Sequence, residues 1–486
     1  MSRLFGNTIY LTSAAVAQKI LAFFYFALVA RILGEINLGE YALFLAVIMT
    51  AQVLFDAGLS SVLVREVAKK PQLALEWWRG TAWCKLLILP VATGLFLFSP
   101  WELLWPAFAN QSPVLIAIAI GIIYADTISQ LAYAVLRGLQ TTKFEAIGIA
   151  VGQLFICFTG TAFLLSGWST LEALTLALLV GSVWNLIFSL FKLVQRLGAS
   201  ILVPKSILGL QPLRLAFMFF IAALAVKVYS FADSFILNHL AGPAAVGNYS
   251  VAFKLTNAFQ FLPIALVGGL YPALSAELNT PDRLKDLLIK SWRYLSLIIL
   301  PVSVGLSLYA EELIPFIFGN QFPQAAPVLA ILPWLLWPLF WDYPIGSLLN
   351  AAGLQSKKTL AIIIALVVNI GLNLILIPEA GVVGAAIASI ISSIVLLGVG
   401  AFFARSLISL SVKEINHALI TPLLIGVVVW LFVHELLTVL PWILTWPFFA
   451  GAMLVGLYLT KTVTNDDIKD LVNRFKNRSV PVPSTN

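Results

Sequence analysis

Residues 300–308 read LPVSVGLSL, and residues 89–97 read LPVATGLFL. Six of the nine positions agree across a separation of 211 residues. Both stretches lie inside longer apolar runs, where proline removes a backbone N–H and permits a bend without ending the segment. Two further matches follow the same order. Gly34, Gly39 and Tyr41 recur as Gly242, Gly247 and Tyr249 at an offset of 208, and GLQTTK at 138–143 recurs as GLQSKK at 353–358 at an offset of 215. Three ordered matches at a nearly constant offset predict two copies of one unit.

The composition says in which solvent that unit folds. The 486 residues are 60% hydrophobic and only 10% charged, with a mean hydropathy of +0.98. Soluble domains carry about 25% charged residues, so an integral membrane protein is expected. The apolar runs are continuous rather than alternating, which selects helices over a barrel. They fall at 8–30, 41–64, 82–104, 112–136, 147–166, 172–191, 211–237, 248–274, 293–314, 325–350, 359–377, 381–404, 416–433 and 441–460. The expected fold is an all-α polytopic membrane protein with 14 transmembrane helices. Two parallel six-helix repeats form two lobes around a central cavity, and two C-terminal helices follow. The expected divisions are an N-terminal lobe at 1–205, a C-terminal lobe at 206–410, helices 13 and 14 at 411–464, and a basic cytoplasmic tail at 465–486.

Charge placement orients this scheme. With Arg3 included, 24 of the 29 basic residues fall in every second connection or the tail. The inside-positive bias then puts both termini in the cytoplasm. The net charge of +7 reflects those connections rather than nucleic-acid binding. Cys84 and Cys157 both lie in apolar runs and form neither a disulfide framework nor a metal site. The first apolar segment carries Lys19 and reaches Arg31 without an A-x-A-like cleavage site, so a retained helix is expected there.

Five basic residues remain: Lys19, Arg31, Lys85, Lys227 and Lys254. Arg31 and Lys85 lie near span ends, where long side chains snorkel. Lys19 and Lys227 lie deeper and are 208 residues apart, the local repeat offset. A lysine in hydrocarbon needs water, a partner or the bundle interior. Lys19, Lys227 and Lys254 are therefore candidate lysines of a hydrated substrate cavity; pairing with Asp233 or with a helix terminus is the structural alternative. The acidic candidates are Asp56, Asp126, Asp233 and Asp342, open to pairing with the lysines or to carrying a coupling ion. Asp126 and Asp342 lie in the fourth span of each copy, but their separation of 216 misses the local offset by one. Asn185, Asn257, Gln260, Asn369 and Asn373 add polar lining or helix-to-helix hydrogen bonds. Pro90 and Pro301, in equivalent third spans, are candidate hinges or static packing features.

No GxxxxGK[ST] loop is present, and His239, His417 and His434 show no metal-ligand spacing. The longest polar segment, 465–486, is too short for a catalytic domain; it suits anionic headgroups or disorder. No cofactor, no metal and no catalysis are expected, and a secondary membrane transporter is the natural class.

Six short motifs carry a family resemblance: ARILG at 30–34, LGEY at 38–41, DAGL at 56–59, VRE at 64–66, RGLQ at 137–140 and GVVGAAIAS at 381–389. Through them the chain resembles the O-antigen and exopolysaccharide exporters, the polysaccharide flippases of the multidrug/oligosaccharidyl-lipid/polysaccharide superfamily. The resemblance implies a flippase of a prokaryotic cytoplasmic membrane. It would carry a polyprenyl-diphosphate-linked oligosaccharide from the cytoplasmic to the outer leaflet by alternating access. Membrane lipids, a polysaccharide polymerase and glycosyltransferases are the implied partners. The lysines would meet the diphosphate as point charges. A lipid-linked peptidoglycan precursor flippase, a drug/cation antiporter and a non-transporting scaffold for glycan synthesis stay open as alternatives. A cavity of lysines would repel a cationic drug, and a scaffold would not need buried lysines.

Overall fold

The computed structural model describes residues 2–98, 112–205, 208–408, 414, 420–437 and 441–459. Among them every regular element is helical. The longer helices of the first half are α1 (Ser2–Asp56), α2 (Leu59–Lys69), α3 (Ala74–Phe98), α4 (Pro113–Gly138), α5 (Lys143–Leu165) and α6 (Leu171–Leu197). Then follow α7 (Gln211–Asn257), α8 (Phe261–Ala276), α9 (Pro281–Leu308), α10 (Ala310–Phe318), α11 (Ala325–Ile331) and α12 (Leu336–Ala351). The chain continues through α13 (Gln355–Ala404), α14 (Thr421–Leu437) and α15 (Trp442–Leu459).

The chain is a multi-pass membrane protein, but the expected fourteen spans are corrected to nine apolar helices long enough to cross a membrane among the described residues. The reason is local. α1, α7 and α13 each run through what was read as a connection, broken only by a single glycine with non-helical backbone. These are Gly34 (φ 70°, ψ −178°), Gly242 (φ 81°, ψ 177°) and Gly381 (φ 56°, ψ −132°). Each of the three helices thus holds two expected spans, while α14 is a shorter apolar helix. Positive φ is the conformation glycine adopts without steric cost. The basic tail at 465–486 and Lys413 lie outside the described residues.

Helix ends follow ordinary capping chemistry. Ser112 accepts a bond from the Leu115 amide at 3.2 Å ahead of Pro113, and Thr170 accepts one from the Ala173 amide at 3.3 Å. The turn after α4 and the turn after α12 are the same motif. In one, Thr141 N–H donates to Leu136 and Gln140 N–H to Arg137; in the other, Leu354 donates to Leu349 and Gly353 to Asn350. This is the Schellman pattern, with Gln140 (φ 58°) and Gly353 (φ 74°) at its left-handed position. The bonded pairs stand 213 residues apart, so the GLQTTK/GLQSKK match at 215 is two residues out of backbone register.

The chain forms two compact units. The first comprises 1–258, 314–328 and 359–392. In it α1 packs along α7, and α6 packs on both α4 and α5. A core of Leu59, Leu63, Trp78, Cys84, Leu131 and Val135 joins α2, α3 and α4. The second unit comprises 259–313, 329–358 and 393–486. Its core runs along α9 from Leu284 to Leu308 and meets Trp337, Phe340 and Trp341 of α12 and Val429 and Val433 of α14.

Candidate functional site

The most developed polar site is in the first unit, built by two of the kinked helices. α7 supplies Asp233 before its kink and Tyr249 after it. α13 supplies Asn369 and Asn373 before its kink and Ser389 and Ser392 after it. Asn369 and Asn373 are four residues apart, so they share a helix face. Both amides donate to Asp233 Oδ1, at 2.9 and 2.7 Å. Tyr249 donates to Oδ2 at 2.9 Å, and Ser389 Oγ donates to the same oxygen. Ser392 Oγ accepts from Asn369 at 3.3 Å, and the Tyr229 hydroxyl lies 3.3 Å from it. All the inner groups are buried; Asp233 is 8% exposed and Asn373 is fully enclosed.

This shell surrounds a carboxylate with four donors and, among the described residues, no Lys or Arg ion pair. A buried charge normally takes a cation or a dense set of hydrogen bonds. Asp233 takes the second course, so it is not the structural partner of the lysines. One atom is left over: Asn373 Oδ1 is buried with no hydrogen-bond partner. Asn369, Asn373, Ser389 and Tyr249 all turn donors to the one carboxylate, and the arrangement suits a proton on Asp233 or, with the amides turned over, a hard monovalent cation held by oxygen. Among the described residues no group of three His, Cys, Asp or Glu side chains could hold a metal ion.

The other candidates lie in different settings. Asp126 accepts from Gln52 at 2.8 Å. Asp56 bonds Ser60 Oγ at 2.5 Å and lies 3.6 Å from Lys85 Nζ. Lys85 does not snorkel: it is 3% exposed and donates to the Phe55 carbonyl at 2.7 Å, at the last turn of α1. Asp342 is held by both its oxygens to Lys358, at 2.6 and 2.5 Å. Lys358, read as a loop charge, is therefore an inward-turned partner. Lys227 and Lys254 are half-buried over aromatic rings, 5.8 Å from the Phe231 centroid and 4.9 Å from the Phe26 centroid. Lys19 is exposed on α1. Pro90 and Pro301 lie inside α3 and α9, which continue through them. The sequence reading named Asn369 and Asn373 only as lining and Ser389 only as motif. Their spacing opposite a mid-span aspartate was the available signal.

The sequence profile described as "Polysaccharide biosynthesis protein" matches residues 4–277, more than half of the chain. The chain belongs to this family. A second profile, MatE, matches residues 219–375, which places the family in the multidrug/oligosaccharidyl-lipid/polysaccharide superfamily of secondary transporters rather than among enzymes. A relative from Haloferax volcanii, "Probable low-salt glycan biosynthesis flippase Agl15", is 26% identical over 78% of this chain and 79% of its own length. The "Succinoglycan biosynthesis transport protein ExoT" of Rhizobium meliloti is 25% identical over 63% of this chain and 60% of its own. Among solved structures, a lipid II flippase, MurJ, in an inward closed conformation superposes with a TM-score of 0.73 at 18% identity, over 96% of this chain and all of that one. An inward-facing multidrug transporter of the MATE family gives 0.62 at 15% identity, over 82% of this chain and 93% of that one. At these identities the two structures speak for the fold.

Proposed function

We propose that the chain is a flippase for a lipid-linked saccharide, with a polyprenyl-diphosphate-linked oligosaccharide as the first substrate. It moves this from the cytoplasmic to the outer leaflet of a prokaryotic cytoplasmic membrane, with both termini cytoplasmic. The observation that carries the reading is the family match over 4–277, shared with relatives named for glycan biosynthesis. Lys19, Lys227 and Lys254 supply positive charge for the diphosphate. The Asp233 shell supports coupling to a proton or sodium ion. On binding a cation, the Asn369 and Asn373 amides would turn over to present oxygen, since amide N and O differ only in orientation. Pro90 and Pro301 belong to the same reading as hinges of two repeated halves, 1–205 and 206–410.

A lipid-linked peptidoglycan precursor is the second substrate reading. What motivates it is the shared fold, since the solved lipid II flippase superposes over 96% of this chain. One experiment separates the two. The purified protein is reconstituted into proteoliposomes with labelled polyprenyl-diphosphate oligosaccharide or with labelled lipid-linked peptidoglycan precursor, under sodium or proton gradients. Protein-dependent transfer of one lipid names the substrate, and loss in Lys227→Gln and Lys254→Gln names the charges that read it. Transfer of neither lipid under any gradient rejects the flippase reading.

A further inference from the structure

One contact inside the first unit bears on how the transport route is closed, whichever substrate it carries. Just beyond their kinks at Gly34 and Gly242, α1 and α7 touch backbone to backbone. A Cβ on Gly39 would lie 1.8 Å from the Pro243 carbonyl oxygen, and one on Gly247 would lie 2.0 Å from that of Glu35. Glu35 and Pro243 are 208 residues apart, and so are Gly39 and Gly247. Each copy thus offers the same patch to the other, as in a contact about a two-fold axis.

The segment 316–324 ties this contact together. Arg31 Nε donates to the Ile317 carbonyl at 2.8 Å, and its Nη2 donates to the Phe316 carbonyl. These are carbonyls of the last turn of α10, which lack partners within the helix and favour a cation. Gln321 returns a bond to the Arg31 carbonyl at 3.2 Å. Asn248 donates to Glu35 at 2.6 Å and accepts from the Gln324 amide at 3.0 Å. Arg31, one of the five basic residues outside the charged connections, has its place here.

The contact holds two helices close through glycine, with Gly39 and Gly247 against bare carbonyls, and its lock is one that water can undo. Arg31 and Gln321 are exposed, so water can take over their bonds. The glycine kinks beside the contact are positions that absorb a change of φ and ψ. Gly34 and Asp56 are separated by about 33 Å of helix at 1.5 Å per residue, a membrane thickness. The contact therefore lies about a membrane thickness along the 34–56 segment of α1 from its junction with α2, which leads to Arg65, Lys69 and Lys70. We propose that residues 35–39 and 243–247, locked by Arg31 and 316–324, form a latch that shuts the transport route at that end and opens in every cycle.

The test needs no substrate for its first arm, so its failure and that of the substrate reading are separable. Leu38, fully buried beside Gly39, is replaced by cysteine in reconstituted protein. A membrane-impermeant maleimide is then added on the side opposite Arg65. Arg31→Ala and Gly247→Ala should each raise the labelling rate about tenfold, since two bonds to a charged donor or a steric wedge weigh on the closed state; Arg31→Lys should do so less. In the second arm, Glu35→Cys with Asn248→Cys is bridged by a short thiol cross-linker. Transport should stop and return on reduction, with thermal stability unchanged. Unchanged Leu38→Cys labelling in all three variants would overturn the latch, and so would full transport by the bridged protein.

Discussion

Asp233 concentrates the polar chemistry of the first unit on one side chain, and its neighbours state what replacing it would do. Asp233→Asn keeps the shape but sets an amide against four donors. Protein with this change should keep its fold in detergent yet lose the stimulation of transport by a cation gradient, measured by comparing flipping with and without the gradient. Lys85 shows the cost of the opposite arrangement, a buried charge relying on one partner set. Lys85→Met leaves Asp56 and the Phe55 carbonyl facing each other without a cation, and breaking such a pair costs about 3–5 kcal/mol. Thermal unfolding should show that loss, and Asp56→Asn added to Lys85→Met should recover part of it. Gln140 runs the other way: a glutamine holds a left-handed position that its counterpart Gly353 fills with glycine. Gln140→Gly should stabilise the chain by about 1 kcal/mol, read as a higher unfolding temperature. None of these roles was legible in the residues alone. An aspartate in an apolar run announces a partner, but three of the four partners of Asp233 lie 136 to 156 positions away in sequence. Lys85 and Lys358 were misjudged for the same reason, since span edges say how deep a charge sits and not what faces it.

Helices were easier to read than their ends. Runs of about twenty apolar residues mark membrane segments because hydrocarbon admits no unpaired backbone, and each expected span from 82 to 191 corresponds to one helix. Glycine was the ambiguous letter. At Gly198 it ends α6, whereas at Gly34, Gly242 and Gly381 it bends a helix that goes on. What decides between the two is the packing of the following turn, which composition does not encode. Within the second unit, α9 forms an indole–serine ladder with α12 and the turn just before it that no periodicity suggested. Trp337 Nε1 donates to Ser303 at 2.8 Å, Trp341 to Ser296 at 2.9 Å, and Trp334 to Ser307 at 3.3 Å. Ser303→Ala strands the Trp337 N–H in an enclosed site and should cost about 1–3 kcal/mol, whereas removing both partners in Ser303→Ala with Trp337→Phe should cost less than the two changes summed. A double-mutant cycle on detergent-solubilised protein checks the sign.

Across the whole chain, positions one offset apart hold similar backbones and different chemistry, as at the kinks of Gly34 and Gly242. Position 25 is the counterpart of position 233 at the local offset, and position 41 that of 249. The tyrosine of the second pair is kept on both sides, but the carboxylate of Asp233 is answered by the phenol of Tyr25, whose buried hydroxyl has no hydrogen-bond partner. Only one copy therefore carries the charge that would hold a coupling ion. Equilibrium binding of labelled sodium, or proton uptake on transport, should give one ion per chain and none in Asp233→Asn. The contact of residues 35–39 with 243–247 has a consequence of a different kind. It brings together two segments 208 residues apart, so one backbone shape is used twice, each time against the other. A side chain at position 39 meets the backbone carbonyl of 243, and one at 247 meets that of 35; since every residue carries that carbonyl, no change of side chain at 243 or 35 makes room, and positions 39 and 247 are each held to glycine.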